Sequence, residues 1–343
     1  MVSRAKRGAL ILTVMLLAGA CDAKAGDTAG VTIACGGQEQ WCSVMTSHFT
    51  KATGIPADFV RLSSGEALAR IKAGRNKPEF DVWHGGPADA YVAAAAQKLL
   101  APYRSPNAAE IKPEWKDPAG AWTGVYVGVL AFCNNTEVLA GKRMTPIRSW
   151  RELTDPRLRS NVAIAHPTTS GTGYTALWSH VELNGGAKDA ALGYMRRLHP
   201  NVLQYNKTGS SAAQQAATGE VAVGIVFAHD CVAVHEEGYT NLHVSYPEEG
   251  TGYEVGGVAV VAGARNSTGA RKYVDWALTA EAQELGPTAR VYSLPTNPRA
   301  RIGNKLRDMS KVKRVDYDIA EAGAEKIALS RRFDIEIARA PKQ

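Results

Sequence analysis

The chain has 343 residues, 45% of them hydrophobic, with 33 glycines and 16 prolines, which is apolar material for a large core and length for two lobes. Its formal net charge is +7, but Arg4, Lys6 and Arg7 lie in a basic leader; without them 37 basic residues face 33 acidic ones. That scattered surplus, with no basic run interleaved with aromatics, excludes a nucleic-acid binder and leaves a weak field that favours a small anion.

The leader is a targeting segment. Residues 9–17 are apolar but too short to span a bilayer, and Ala18-Gly19-Ala20 supplies small residues before Cys21. Residues 1–20 therefore read as a signal peptide and 21–30 as a tether. Two processings fit: ordinary cleavage, or lipidation of Cys21 at a lipobox-like Gly19-Ala20-Cys21 end, which we favour. Either one places the mature chain in the periplasm or another extracytoplasmic space, with a lipid anchor as its sole membrane contact.

Five cysteines suit an oxidising compartment. With Cys21 lipidated, four remain. Cys35 closes a predicted strand and Cys42 lies in the following helix, so folding back across the turn pairs them. Cys133 and Cys231 both end apolar strands, and their pairing stays open. The spacings match no usual zinc pattern, and no metal is expected.

Strands are predicted over 31–34, 57–62 and 80–83. Each runs into a small-residue loop and then a helix: Gly36-Gly37-Gln38 before 41–53, Ser63-Ser64-Gly65 before 66–74, and Gly85-Gly86-Pro87 before 90–98. This alternation predicts an α/β fold with a parallel sheet, and ligands bind at the carboxyl ends of such strands. No loop carries the dinucleotide fingerprint or the Gly-Lys-Ser/Thr phosphate loop, so no cofactor is expected.

Residues 122–135 form an apolar, β-prone run longer than an ordinary strand, and 253–261 form a second. Both are expected to cross between lobes as a two-stranded hinge. The expected lobes are 31–125 plus 255–295 and 126–254 plus 296–343. Between the crossings lie a short helix over 149–153, a strand over 161–165 and a helix over 175–183. The loop between the last two holds His166, Thr168, Thr169, Ser170, Gly171, Thr172 and Gly173. Its hydroxyls, and the unpaired N–H groups of a helix start, suit an anion, best a phosphate. A helix over 189–198 and a strand over 202–205 follow. Gly209-Ser210-Ser211 caps a helix over 212–218, and the strand 221–227 ends at Ala228-His229-Asp230-Cys231. Helices over 268–278, 280–285 and 316–340 complete the chain, the last with Leu329, Phe333 and Ile337 on one face.

Several segments together resemble a bacterial extracytoplasmic solute-binding protein of an ABC importer. They are Phe80-Asp81-Val82-Trp83, the run from Thr123 to Asn134, Ser149-Trp150-Arg151-Glu152-Leu153-Thr154-Asp155-Pro156, the Thr169-Ser170-Gly171-Thr172 turn, and Asp275-Trp276-Ala277-Leu278-Thr279. The resemblance covers the mature chain and is to the type II, two-lobed architecture of the ferric-iron, thiamine and phosphonate cluster. Iron binders of that cluster carry adjacent tyrosines on the second lobe; here the matching strand ends Phe227-Ala228-His229-Asp230. His229-Asp230 is similar to the His-Asp pair of hexose-phosphate-binding members, which holds sugar hydroxyls, and Glu254 resembles their third sugar contact.

The resemblance and the residue chemistry together give a ligand site of Gly37, Gln38, Ser63, Ser64, His84, Gly86, Thr169, Ser170, Gly171, Thr172, His229, Asp230 and Glu254. Donors would hold the phosphate, Asp230 and Glu254 would accept from hydroxyls, and Tyr174 or Trp83 would face a ring. Singly these residues have plainer roles: His229 in the core, Asp230 and Ser63-Ser64 as helix caps, Glu254 in a hinge salt bridge. The expectation is a monomeric receptor, not an enzyme, that captures a small phosphorylated anion, a sugar phosphate first, and hands it to an inner-membrane permease. A ferric-iron binder of the same fold is the alternative. An exported phosphate-ester hydrolase is the rival of another class, and the chain has no Gly-x-Ser-x-Gly elbow or histidine-rich metal motif for it.

Overall fold

A computed structural model describes residues 30–303 and 312–342. The expected signal peptide, Cys21 and the expected tether up to residue 29 lie outside the described residues. Among the described residues no helix is long and apolar enough to cross a membrane.

The three strand–loop–helix units predicted first are present. Strands β1 (Val31–Cys35), β2 (Ala57–Arg61) and β3 (Val82–Pro87) pair in parallel with β1 at the centre. The crossover helices are α1 (Glu39–Thr53), α2 (Ser64–Ala73) and α3 (Ala88–Ala96). Trp41, Met45 and Phe49 give α1 its buried stripe, and Gly54 at φ +72° ends it with a left-handed cap. β3 outruns the prediction. It continues through Gly85 and Gly86, both at φ +87°, a conformation open to glycine without strain.

The predicted long run is β5 (Thr123–Asn135), which follows the short β4 (Leu100–Ala101). β5 belongs to both halves of the molecule. Residues 123–129 pair antiparallel with β10 (Tyr253–Val261), which also borders β3. Residues 130–135 pair with β8 (Val223–Phe227) and β9 (Leu242–Ser245). β6 (Val162–Ala165) and β7 (Val202–Asn206) extend the second half in parallel, giving the order β2-β1-β3-β10-β5-β8-β6-β7. β10 itself stays in the first half. The return passage is the whole β9–β10 stretch, pinned at the boundary where the Leu130 N–H donates to the Gly252 carbonyl at 3.0 Å.

Helices α4 (Thr136–Gly141), α5 (Gly171–Leu183), α6 (Lys188–Leu198), α7 (Ser210–Ala217) and α8 (Ala228–Glu236) serve the second half. Residues 149–153 form a turn leading into the 3₁₀ turn Glu152–Thr154, too brief for the helix expected there. Helices α9 (Ser267–Ala277), α10 (Ala280–Gln283) and α11 (Ile319–Phe333) follow, the last after the short β11 (Leu294–Pro295). Leu329, Phe333 and Ile337 are buried as their spacing predicted. α11 also reaches back to α3, where the Lys326 ammonium meets the Asp89 carboxylate at 2.9 Å, both buried.

Disulfides join Cys35 to Cys42 and Cys133 to Cys231, with Cα separations of 6.1 and 5.6 Å. The first ties the end of β1 to α1. The second ties β5 to α8 and settles the pairing that spacing left open.

Candidate functional site

One cavity lies between the halves, at the carboxyl ends of the strands. From the first half it is lined by Gly36, Gly37 and Gln38 after β1, Arg61, Ser63 and Ser64 after β2, and Gly86 and Pro87 at the end of β3. From the second half come Ser170, Gly171 and Thr172, then Thr208, Gly209 and Ser210, then Phe227, His229 and Asp230. Glu254 and Tyr126 rise from the two central strands, and Trp41 and Val291 close one side.

Most of these residues are helix starts. The caps or first turns of α1, α3, α5, α7 and α8 border the cavity, through Gln38, Pro87, Gly171, Ser210 and His229 respectively, and none of these helices has a side-chain cap bond. Four helices that begin elsewhere are capped by their own side chains: Asn135 for α4, Asn266 for α9, Thr279 for α10 and Asp318 for α11. α2 is the exception at the cavity, with a capping box in which Ser63 and Glu66 bond reciprocally, and α6 is an uncapped start away from it. A first turn has N–H groups without intrahelical partners and the positive end of the helix dipole. The turns of α1, α3, α5 and α7 make a wall of donors that suits a negatively charged group, while the turn of α8 carries His229 and Asp230. Arg61 adds a guanidinium, steadied where its Nε donates to the Gly37 carbonyl at 3.2 Å.

A second wall, built on the first turn of α8 and on β10, is a carboxyl–imidazole cluster. His229 Nε2 lies 3.6 Å from Glu254 Oε1 and 4.0 Å from Asp230 Oδ1. Its ring stacks on Phe227 and meets Tyr126 edge-on, at centroid distances of 5.7 and 6.3 Å. Burial pushes the Glu254 carboxyl well above its usual range, and the nearby Asp230 and Asp89 carboxylates push it further. Burial holds His229 below its usual value, against the upward pull of Asp230. A protonated Glu254 and a neutral imidazole can each donate and accept, which suits hydroxyl groups.

The halves touch across the cleft. Gln38 Nε2 donates to Asp230 Oδ1 at 3.0 Å, the Gly65 N–H donates to the Thr169 carbonyl at 2.9 Å, and Lys207 meets Glu66 at 2.5 Å.

Of the thirteen residues the sequence pointed to, the structure brings Gly37, Gln38, Ser63, Ser64, Gly86, Ser170, Gly171, Thr172, His229, Asp230 and Glu254 to this cavity. It places two outside. His84 is on the buried side of β3, its Nδ1 2.9 Å from the Tyr273 hydroxyl and its ring 4.5 Å from Trp41; burial pushes it down to about 3. Thr169 is spent on the seam, its hydroxyl on the His166 carbonyl and its own carbonyl on Gly65. The ring-facing roles also fail. Trp83 stacks on Tyr91 at 4.1 Å, and the Tyr174 hydroxyl donates to the Ala322 carbonyl at 2.6 Å, both in the core. Sequence reasoning missed Arg61, Tyr126 and the Thr208-Gly209-Ser210 turn. That turn had a signal, since it sits between a predicted strand and a predicted helix; Arg61 lies inside the strand predicted over 57–62.

A family model described as bacterial extracellular solute-binding protein matches residues 86–322. The periplasmic binding protein AfuA from Actinobacillus pleuropneumoniae, solved with exogenous fructose-6-phosphate bound, superposes with a TM-score of 0.87 at 38% identity, over 91% of this chain and 99% of that one. An uncharacterised protein of Haemophilus influenzae is 37% identical over 322 residues, 92% of each chain. A putative 2-aminoethylphosphonate-binding periplasmic protein of Salmonella typhimurium is 27% identical over 259 residues, 72% of each. The fold shared with the solved relative is the type II periplasmic-binding-protein fold.

Proposed function

The chain belongs to the bacterial extracellular solute-binding protein family, and we propose that it captures a phosphorylated small molecule, a hexose phosphate first, in the periplasm for an ABC importer. One observation carries this reading: the cavity has two unlike walls. The uncapped starts of α1, α3, α5 and α7, with Arg61, suit the phosphate of the guest. His229, Asp230 and Glu254 suit its hydroxyls. The Actinobacillus relative with fructose-6-phosphate supports the same assignment. The reading needs no bond to be broken, so we assign no catalytic residue.

The polarity of the walls also favours a phosphate ester over ferric iron. Among the described residues Tyr126 is the one tyrosine that lines the cavity, and its phenol oxygen already accepts from the Gly86 N–H at 3.0 Å. Among the described residues no group of three or more His, Cys, Asp or Glu is placed to hold a metal ion.

Calorimetric titration with fructose-6-phosphate, glucose-6-phosphate, 2-aminoethylphosphonate, inorganic phosphate and ferric citrate tests the proposal. The expected result is binding of a hexose phosphate at least about tenfold tighter than inorganic phosphate, since the second wall then adds its hydrogen bonds. Tightest binding of iron, with a phenolate charge-transfer colour, would overturn it. So would release of phosphate from the esters.

A further inference from the structure

Behind the His229–Glu254 pair stands a residue that is not among those lining the cavity. In the register of β5 and β10, Glu254 stands directly opposite Gly128, and Gly256 directly opposite Tyr126. Directly opposed residues on an antiparallel pair share one face of the sheet. On this face each large side chain thus lies across from a glycine. A β-carbon at Gly256 would strike the Tyr126 ring. A β-carbon at Gly128 would stand 2.7 Å from His229 Cε1, 2.8 Å from His229 Nδ1 and 3.1 Å from Glu254 Oε1.

The notch at Gly128 matters because nothing polar anchors the inner edge of the imidazole. His229 Nδ1 is buried and has no hydrogen-bond partner among the described residues. The ring is held by shape: Phe227 on its face, Tyr126 at its edge and the bare backbone of Gly128 beneath. That seating leaves Nε2 directed towards Glu254 and Asp230. Glycine inside a central strand weakens it, and often marks a place where another group approaches the backbone closely. β5 is buried along nearly its whole length.

We propose that Gly128 is a positioning residue, whose missing side chain seats the His229 ring against Glu254 and so sets the site's recognition of hydroxyl-bearing phosphate esters. The recognition half of this statement rests on the hexose-phosphate reading above; the seating half does not.

Gly128→Ala tests both halves. The first measurement is NMR of histidine-labelled protein without ligand, with the His229 signals assigned by His229→Ala. Gly128→Ala should move the His229 ring resonances and leave the other histidines in place. Unmoved His229 signals would end the proposal. The second measurement is affinity. Gly128→Ala should weaken fructose-6-phosphate binding about tenfold or more and leave inorganic phosphate, held by the other wall, within about twofold. In a His229→Ala background the same substitution should cost much less, because the ring it presses on hardest is gone and only the looser contact with Glu254 remains. An equal loss in both backgrounds would mean general damage to β5 and would overturn the assignment. If Gly128→Ala melts early, His229→Ala must restore the melting temperature, because the overlapping ring is removed; failure to restore it would also overturn the proposal. A wild-type protein that ignores hexose phosphates, yet shows the Gly128→Ala shift at His229, would retain the seating and lose the ligand reading.

Discussion

Gln38 and Asp230 meet across the cleft at 3.0 Å, amide to carboxylate, joining the residue before α1 to the first turn of α8. The bond does two things. It satisfies one oxygen of a buried carboxylate, and it ties the two halves of the molecule together at the cavity. Its partners sit on rigid elements, since each adjoins a disulfide: Cys35–Cys42 beside Gln38 and Cys133–Cys231 beside Asp230.

Removing the amide should therefore weaken both orientation and closure. Gln38→Ala is expected to lower fructose-6-phosphate affinity about tenfold, the scale of one hydrogen bond to a charged group. Asp230→Ala should cost more, because the acceptor itself is lost. Calorimetry on the two variants checks the order, and a Gln38→Ala affinity equal to wild type would refute the coupling.

Burial and its acidic neighbours push the Glu254 carboxyl well above its usual range, which favours the neutral form that glutamine mimics. Glu254→Gln should retain affinity within about threefold at pH 7, whereas Glu254→Ala should lose about tenfold. The sign with pH follows from the raised value. The neutral form, and whatever stability it contributes, is present at low pH and is lost as pH rises through that raised value. Wild-type binding should weaken on the alkaline side, and Glu254→Gln should flatten that limb of the pH profile.

His84 and His180 are buried neutral, each pushed down to about 3 mainly by burial. A lowered value gives stability that is present above the ordinary 6.5 and lost as pH falls towards 3, because the unfolded chain takes up the proton first. Each such histidine should steepen the loss of unfolding free energy by about 1.4 kcal/mol per pH unit in that window. His180 stacks on Tyr194 at 3.6 Å, so His180→Phe keeps an aromatic ring there. Denaturant melts between pH 6.5 and 4.5 should show a shallower slope for the variant; an unchanged slope would count against a neutral buried imidazole.

The two disulfides close loops of different size, with sequence separations of 7 and 98 residues. On chain entropy alone, opening the longer one should cost about 4.7 kcal/mol and the shorter about 2.5 kcal/mol. Paired Cys→Ala substitutions, compared by denaturant midpoint, should rank Cys133/Cys231 as the more damaging. The reverse order would point to native packing around Cys35 and Cys42 in place of loop entropy.

Local patterns determined much of this protein. Short apolar runs, small-residue loops and helical apolar spacing marked the strand–loop–helix units, the length of the 122–135 run marked a strand shared by two halves, and His229-Asp230 stood out through the family resemblance. Only tertiary structure decided which loop residues line the cavity. His84 and Gly86 are two apart on one strand, yet the first is packed into the core and the second, freed by positive φ, reaches the cavity. The Tyr126–Gly256 and Glu254–Gly128 pairs exist through the register of strands far apart in the chain. Periodicity says which side chains share a face of an element. It does not say what lies opposite, because that depends on contacts no local stretch contains.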